Sequence, residues 1–220
     1  MVNYSAAEEN YIKAIYHLGL KSSVVNTNEL ADAIRTRAAS VTDMLKKLKN
    51  KKLVSYKPYY GCNLTKKGKA LALLIIRRHR LWEYFLSEKL GFNWNEVHDV
   101  AEELEHVGSQ KLINKLDVFL GNPRFDPHGD PIPDIDGNME TVANTALTEA
   151  SFHKSGTVVQ VGQQSPALLE ILQDKQITIG SKIKVLKKTA FDQSMEIKIN
   201  NKHSAHISKE LAENIFIKTI

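Results

Sequence analysis

The order of local patterns in the first 70 residues restricts the fold of this chain more than any other feature. Three short segments with apolar residues at helical spacing come first, and two short alternating segments follow them. The first helix is predicted to begin with a capping box of Ser5 and Glu8. The second is predicted to begin with Thr27 as its cap, and the third near Ser40. The strands are predicted at residues 53–56 and 62–65, joined by a Pro-Tyr-Tyr-Gly turn. This order predicts a winged helix–turn–helix.

Positive charge is concentrated in the same region, because residues 1–70 hold 13 Lys/Arg and only 5 Asp/Glu. Such a surface suits a polyanion, since lysines neutralise phosphates and release counterions. Short side chains at the start of the third helix would let it approach base edges. The predicted DNA contacts are Arg37, Ala39, Ser40, Thr42, Asp43, Lys46 and Lys47, with Arg37 expected to read guanine. The alternative is a small helical domain with a solvated lysine face.

Residues 71–140 are acidic instead, with 7 Lys/Arg and 13 Asp/Glu. One long helix is predicted from about Lys66 to Leu90, and a second from about Asn95 to Leu120. His79 and Glu83 share a face of the first helix, and one stripe of the second carries His98, Glu102, Glu105 and His106. Carboxylates and imidazoles on an apolar helix face are costly to bury unless a cation compensates them. Oxygen and nitrogen donors without sulfur suit Mn²⁺, Fe²⁺ or Zn²⁺. A structural role for each histidine is the alternative.

The last third of the chain changes to strand patterns separated by turn residues. Strands are predicted at residues 155–161, 180–186, 194–199 and 215–218, with a short helix at residues 167–172 and one helical turn at residues 208–212. Short strands so closely spaced predict a small barrel. Its partner cannot be read from this pattern.

Several segments resemble the diphtheria toxin repressor and manganese transport regulator family. They are residues 9–16, 77–81, 97–99 and 102–107, and the segment His128-Gly129-Asp130-Pro131-Ile132-Pro133. The resemblance implies a mostly α fold with small β parts. Its expected domains are a winged helix–turn–helix over 1–65, a helical metal-binding and dimerisation domain over 66–140, and an SH3-like (FeoA-like) small β-barrel over 141–220.

The resemblance also implies two metal sites. The primary site would use Asn10, Glu102, Glu105 and His106. The ancillary site would use His79, Glu83 and His98, completed by Gln163 or Gln164 from the C-terminal domain. Glu102 favours manganese, because iron-type members have a cysteine there. Asn10 replaces a methionine or an aspartate and brings no charge, and Lys13 replaces a second acidic ligand of some manganese regulators.

The expected function is therefore that of a metal-dependent transcription repressor in metal-ion homeostasis, and not that of an enzyme. Mn²⁺ is the favoured activator and Fe²⁺ the next, with Zn²⁺ or Co²⁺ as substitutes in vitro. The expected partners are a palindromic operator duplex and a second copy of the chain. The alternatives are a winged-helix regulator with an organic effector and, with less support, a metallohydrolase, for which no candidate nucleophile is found.

The single cysteine, Cys62, excludes an intrachain disulfide and is expected to pack in the wing. No apolar run reaches the ~20 residues of a membrane span, and the N-terminus lacks a signal-peptide pattern. The expected location is the cytoplasm, without membrane contact.

Overall fold

The structure is a computed structural model that describes residues 4–152, 154–162 and 164–219. It divides into two compact units. The first unit contains Met1–His79, Glu102–Leu116 and Pro133–Asn138, and the second contains Arg80–Ala101, Asp117–Ile132 and Met139–Ile220. None of the helices in the described ranges has the length and apolar character that crossing a lipid bilayer requires.

The first unit begins with the predicted winged helix–turn–helix. Its elements are α1 (Ala6–Gly19), α2 (Thr27–Ala33), α3 (Ala38–Asn50), β1 (Val54–Lys57) and β2 (Gly61–Leu64). The capping box of Ser5 and Glu8 is confirmed, with reciprocal hydrogen bonds of 3.3 and 3.0 Å. The prediction that Thr27 caps α2 is wrong. Asn26 is the cap, because its side chain and that of Glu29 form a second capping box.

The core of this unit is formed by the apolar faces of these helices. Its fully buried side chains include Ile12, Leu30, Leu45, Leu48 and Leu53. In α3, for example, the buried Val41, Leu45 and Leu48 recur at i, i+4 and i+7 and therefore lie on one side of the helix. Burying them leaves the charged side chains of α3 in solvent.

The wing is an antiparallel hairpin of β1 and β2 with Lys57 paired to Gly61. Val25, in the loop between α1 and α2, exchanges two backbone hydrogen bonds with Cys62 of 3.0 and 2.8 Å. Gly61 has a φ of +95°, and a Cβ atom there would lie 2.5 Å from the carbonyl oxygen of Val25. Glycine at this position therefore permits the wing to pair with the helical part.

Three helices follow, α4 (Lys66–Leu90), α5 (Val97–Leu104) and α6 (Gln110–Phe119), and each contributes residues to both units. The prediction of α4 is confirmed, but that of one helix over residues 95–120 is wrong. The helix ends at Leu104, so Glu105 and His106 lie in a turn. Gly108 disfavours continuation, and the Ser109 hydroxyl accepts a hydrogen bond from the Leu112 backbone that begins α6.

The second unit ends in a six-stranded antiparallel sheet. Its strands are β3 (Thr145–Ala146), β4 (Ser155–Val161), β5 (Lys182–Lys188), β6 (Met195–Ile199), β7 (His203–Ile207) and β8 (Ile215–Thr219), in the order β3-β8-β4-β5-β6-β7. The helices α7 (Pro166–Asp174) and α8 (Lys209–Glu213) accompany it. The predicted small C-terminal β domain is confirmed. Two strands were not predicted: β3, which has two residues, and β7, whose His-Ser-Ala-His-Ile sequence lacks a strong strand pattern.

Candidate metal centre and nucleic-acid interface

The start of α3 is an open surface that fits the predicted nucleic-acid contacts. Arg37 is the N-cap residue, and its side chain makes no capping hydrogen bond to the first turn. Arg37, Ala39, Ser40, Asp43 and Lys46 are exposed, and Thr42 is partly buried, with its hydroxyl donating to the Ala38 carbonyl at 3.0 Å. Free N–H groups and the positive end of the helix dipole favour an anion at this position.

A buried carboxylate of α1 pairs with one lysine of α3 and with the lysine that caps its C-terminus. Glu8 is 1% exposed, and its Oε1 lies 3.2 Å from Nζ of Lys47 and 2.5 Å from Nζ of Lys51. Burial alone would raise the pKa of Glu8, but the hydrogen bonds from Lys51, the Ser5 backbone and Lys47 outweigh it and lower the pKa to about 2. Lys47, predicted to contact DNA, is therefore paired within the chain with a buried carboxylate, whereas Lys46 pairs with the exposed carboxylate of Asp43.

A group of charged side chains, which we call the Glu105 cluster, consists of Glu9, Lys13, Glu102, Glu105 and His106. The Lys13 ammonium bridges two carboxylates of the cluster, because its Nζ lies 3.1 Å from Oε1 of Glu102 and 2.7 Å from Oε2 of Glu105. Nε2 of His106 lies 3.8 Å from the other oxygen of Glu105, Oε1. All five residues belong to the first unit. Three predicted primary-site residues, Glu102, Glu105 and His106, thus share one cluster.

The Glu105 carboxylate is fully buried, and the Lys13 ammonium and two imidazoles lie close to it. Nδ1 of His79 also lies 2.7 Å from its Oε2. Burial would raise the pKa of Glu105, but the hydrogen bond with His79 and the charge of Lys13 outweigh this and lower the pKa. Glu105 is therefore ionised at neutral pH. His79, predicted for the ancillary site, contacts a primary-site residue.

Glu9 joins the cluster from α1 and was not predicted as a site residue. Its Oε2 lies 2.8 Å from Nδ1 of His106, and its Oε1 accepts a hydrogen bond of 2.8 Å from Arg78. Asn10, the predicted α1 ligand, is exposed, and its side chain makes no hydrogen bond with any described residue. The sequence signal for Glu9 was weak, because a glutamate in the first turn of a helix is common for electrostatic reasons alone.

Two donor atoms of the Glu105 cluster have a spacing that one divalent cation could bridge. Oε1 of Glu105 is buried and accepts no hydrogen bond from the described residues, while Oε2 holds Lys13 and His79. Two ligands bonded to one ion at ~2.1 Å lie ~3–4 Å apart, which matches the 3.8 Å between Oε1 of Glu105 and Nε2 of His106. Carboxylate oxygen and imidazole nitrogen are donors that Mn²⁺ and Fe²⁺ accept.

A second group, the Glu83 cluster, lies in the second unit and consists of Glu83, His98, Asp126 and His128. Oε1 of Glu83 is 3.3 Å from Nδ1 of His98 and 4.0 Å from Nδ1 of His128. Glu83, Asp126 and His128 are all buried, and each offers a ligand atom within 4.8 Å of the others. Glu83 and His98 were predicted as ancillary ligands. His79 precedes Glu83 by one turn of α4.

Asp126 and His128 were not predicted as site residues, although His128 lies in a segment that carries the family resemblance. Two acids that flank a histidine within Asp126-Pro127-His128-Gly129-Asp130 were the available signal. The His128 ring stacks on Trp94, and its Nε2 lies 3.1 Å from the Trp94 carbonyl oxygen. Burial lowers the pKa of His128, while burial and the charges of Glu83 and Asp130 raise the pKa of Asp126 well above its usual value.

Asp130 adjoins this cluster and holds three side chains. Its oxygens accept hydrogen bonds of 2.6 Å from Gln160 and 2.8 Å from Gln164, and Arg80 lies 3.4 Å away. Gln164, predicted as an ancillary ligand, therefore binds Asp130. Gln163, the other predicted ligand, lies outside the described residues.

Comparisons with known proteins agree with these features. Residues 3–62 match the iron dependent repressor, N-terminal DNA binding domain, residues 65–134 match the iron dependent repressor, metal binding and dimerisation domain, and residues 145–219 match the FeoA domain. The iron-dependent repressor IdeR of Mycobacterium leprae (strain TN) is 30% identical over 157 residues, which are 70% of this chain and 68% of that protein.

Solved structures match over nearly the whole chain. A manganese-dependent transcriptional repressor in complex with manganese is 32% identical, with a TM-score of 0.87, and the match covers 97% of this chain and 100% of that one. The manganese regulator SloR is 30% identical, with a TM-score of 0.78 and full coverage of both chains. These matches are to DNA-binding repressors, so the metallohydrolase alternative is not supported. Because it shares their three segments in the same order, this chain belongs to the family of metal-dependent repressors that includes IdeR and the manganese regulators.

Proposed function

We propose that this chain is a metal-dependent transcription repressor, activated for binding to a palindromic operator by Mn²⁺ or Fe²⁺ in the Glu105 cluster. It acts in the cytoplasm on genes of metal-ion homeostasis. One observation carries the proposal: side chains of α1, which belongs to the winged helix, contact the carboxylates and imidazole at residues 102–106. One ion there would fix the DNA-binding elements to the helical region that follows them.

The ligands that we assign to this primary site are Glu102, Glu105 and His106, with Asn10 as the α1 ligand. Glu102 supplies oxygen rather than sulfur, which favours Mn²⁺. A second ion is assigned to Glu83 and His98, with His79 from the preceding turn of α4 and with Asp126 and His128 as further buried donors. Gln163 and Gln164 stay predicted ligands of this ancillary site.

The chemistry that the metal supplies is a divalent charge that holds carboxylates together. In its absence, the resident cations of the chain partly compensate Glu102 and Glu105. The ion shifts the population toward the DNA-binding conformation only by its preference for that conformation. A shift from 1% to 99% of that conformation would need ~5.5 kcal/mol of preference.

A homodimer would place two copies of α3 on one duplex. Exposed apolar side chains on α6, namely Leu112, Val118 and Phe119, offer surface for a second copy. A twofold axis relating two recognition helices reads a palindrome whose half-sites are ~34 Å apart, or a multiple of that. We assign base-edge contacts to Arg37, Ala39, Ser40, Thr42 and Asp43, and phosphate contacts to Lys46 and Lys47.

The test is a DNA-binding titration with and without metal. Duplexes selected by the protein from a random pool in Mn²⁺ are labelled, and fluorescence anisotropy is measured in Mn²⁺, Fe²⁺ under anaerobic conditions, Zn²⁺ or chelator. We expect tight binding with Mn²⁺ or Fe²⁺ and loss of it in Glu105→Gln and His106→Ala. Glu103→Gln, an exposed acid on α5, serves as the matched control. Equal binding in chelator would overturn the metal dependence and favour an organic effector.

A further inference from the structure

The Lys13 ammonium contacts one of the two oxygens of the Glu105 carboxylate and not the other. It contacts Oε1 of Glu102 and Oε2 of Glu105, at 3.1 and 2.7 Å. Oε1 of Glu105 is buried without a hydrogen bond from the described residues and faces His106. The ammonium therefore binds one oxygen of the Glu105 carboxylate, and the oxygen without a hydrogen bond is the other one.

The position of Lys13 is well suited to a permanent counter-charge. Its side chain is only 14% exposed, and that of Glu105 is 0% exposed. A buried carboxylate without a partner is strongly destabilising, so the fold requires a cation here when no metal is bound. Lys13 supplies it from within the chain and cannot diffuse away.

A tethered cation also has a cost for metal binding. A divalent ion at Oε1 of Glu105 would lie a few ångströms from the ammonium, where like charges repel. Because solvent is largely excluded from this pair, salt screens the repulsion little. Lys13 thus reduces the negative charge that attracts the ion without filling the position between Glu105 and His106.

We propose that Lys13 determines the metal affinity of the Glu105 cluster, as a resident cation that stabilises the metal-free chain and weakens divalent-ion binding. This inference rests on the proposed function, since it takes the cluster to be a metal site. In consequence, a higher concentration of the divalent ion is needed to occupy the cluster than the carboxylates would need without Lys13.

The experiment is calorimetric titration of the full chain with MnCl₂, together with urea unfolding in chelator. Lys13→Met removes the charge at similar length, Lys13→Gln keeps an N–H donor without the charge, and Lys13→Arg keeps the charge. We expect the two neutral variants to bind Mn²⁺ at least about tenfold more tightly, which is about 1.4 kcal/mol, and the arginine variant to bind within about threefold of the unmodified chain. In chelator, Lys13→Met is expected to unfold at lower urea concentration. Lys111→Met, a change of one exposed charge, is the control.

The outcomes separate this inference from the proposed function. If Glu105→Gln leaves Mn²⁺ binding unchanged, the cluster is not the metal site and the proposed function fails. If Glu105→Gln weakens binding while Lys13→Met and Lys13→Gln bind with unchanged or lower affinity, only the role of Lys13 is overturned. Should Lys13→Met fail to fold without metal, Lys13→Gln decides the matter, because its amide can still donate to Glu105.

Discussion

Nδ1 of His106 lies 2.8 Å from Oε2 of Glu9, so a residue of α1 holds the ring whose other nitrogen faces Glu105. Arg78 donates to the second oxygen of Glu9 and fixes that carboxylate in turn. Histidines that ligate metals are commonly oriented by such a carboxylate, which also raises the basicity of the ligating nitrogen. Glu9 is thus a positioning residue for the proposed primary site.

Glu9→Gln is expected to weaken Mn²⁺ binding by about 10- to 100-fold, because the neutral amide orients the His106 ring less firmly. The measurement is a calorimetric Mn²⁺ titration, with circular dichroism to verify the fold. Glu103→Gln, which changes an exposed carboxylate on α5, should bind as the unmodified chain does. Unchanged affinity in Glu9→Gln would remove Glu9 from the metal centre.

The buried Glu8 carboxylate should make the stability of the winged helix depend on pH. Its pKa is lowered to about 2 from an ordinary 4.5, so its stabilisation is complete above about pH 5 and is lost as the pH falls through 2. Glu8→Gln keeps the capping box but loses the charge facing Lys47 and Lys51. We expect Glu8→Gln to lower the free energy of unfolding by about 1–3 kcal/mol at neutral pH. The difference between the variant and the unmodified chain should become smaller as the solution is acidified.

Urea unfolding between about pH 7 and pH 3 measures this difference. Glu29→Gln is the matched control, because Glu29 holds the same capping-box position on α2 but is exposed. It should cost less than about 0.5 kcal/mol. A pH-independent difference between Glu8→Gln and the unmodified chain would contradict the assignment of the effect to charge.

Arg37 and Lys46 should affect DNA binding in different ways. Arg37→Ala is expected to cost about 1–3 kcal/mol for the selected duplex and to relax the preference at one base pair, because a guanine contact carries sequence information. Lys46→Ala should weaken all duplexes alike and reduce the salt slope by about one. Anisotropy titrations at several salt concentrations measure both effects. Lys21→Ala, exposed and outside α3, is the control, and equal losses for all sequences in Arg37→Ala would exclude a base contact.

Gly61→Ala should detach the wing from the helical part. The backbone has a φ of +95°, and the added Cβ would lie 2.5 Å from the Val25 carbonyl oxygen. Strain of this kind costs about 1–3 kcal/mol, which urea unfolding would record. Gly19→Ala is the natural comparison, because an added Cβ there meets no atom within 4 Å. Equal stability of the two variants would show that the strand can shift to accept alanine.

The parts of the fold that depend on residues close together in the sequence were predictable from it. The capping box of Ser5 and Glu8 and the spacing of Ile12 and Ile15 are local signals, and the structure has both. The break after Leu104 was not predicted, because acidic and histidine side chains continued at helical spacing through His106. Gly108 and Ser109 outweigh that pattern, since one disfavours the helix and the other caps the next.

The candidate site was predictable only in part, for a related reason. Residue type and spacing indicated a metal-binding stripe that includes Glu102, Glu105 and His106, and the family resemblance assigned these three to one site. Neither gave the partners of these residues across the fold. Lys13 and Glu105 are 92 residues apart in sequence, and Glu9 and His106 are 97 apart. Contacts over such separations depend on packing, which the sequence pattern of one helix does not specify.

The burial of Cys62 has a consequence for experiments on this molecule. Its thiol is 1% exposed, and burial raises its pKa to about 11, so only ~1 in 10,000 molecules carries the reactive thiolate at neutral pH. A thiol reagent would therefore modify the chain chiefly when the hairpin separates from the helices beneath it. The rate of labelling at this single cysteine reports the frequency of that opening, with no introduced probe.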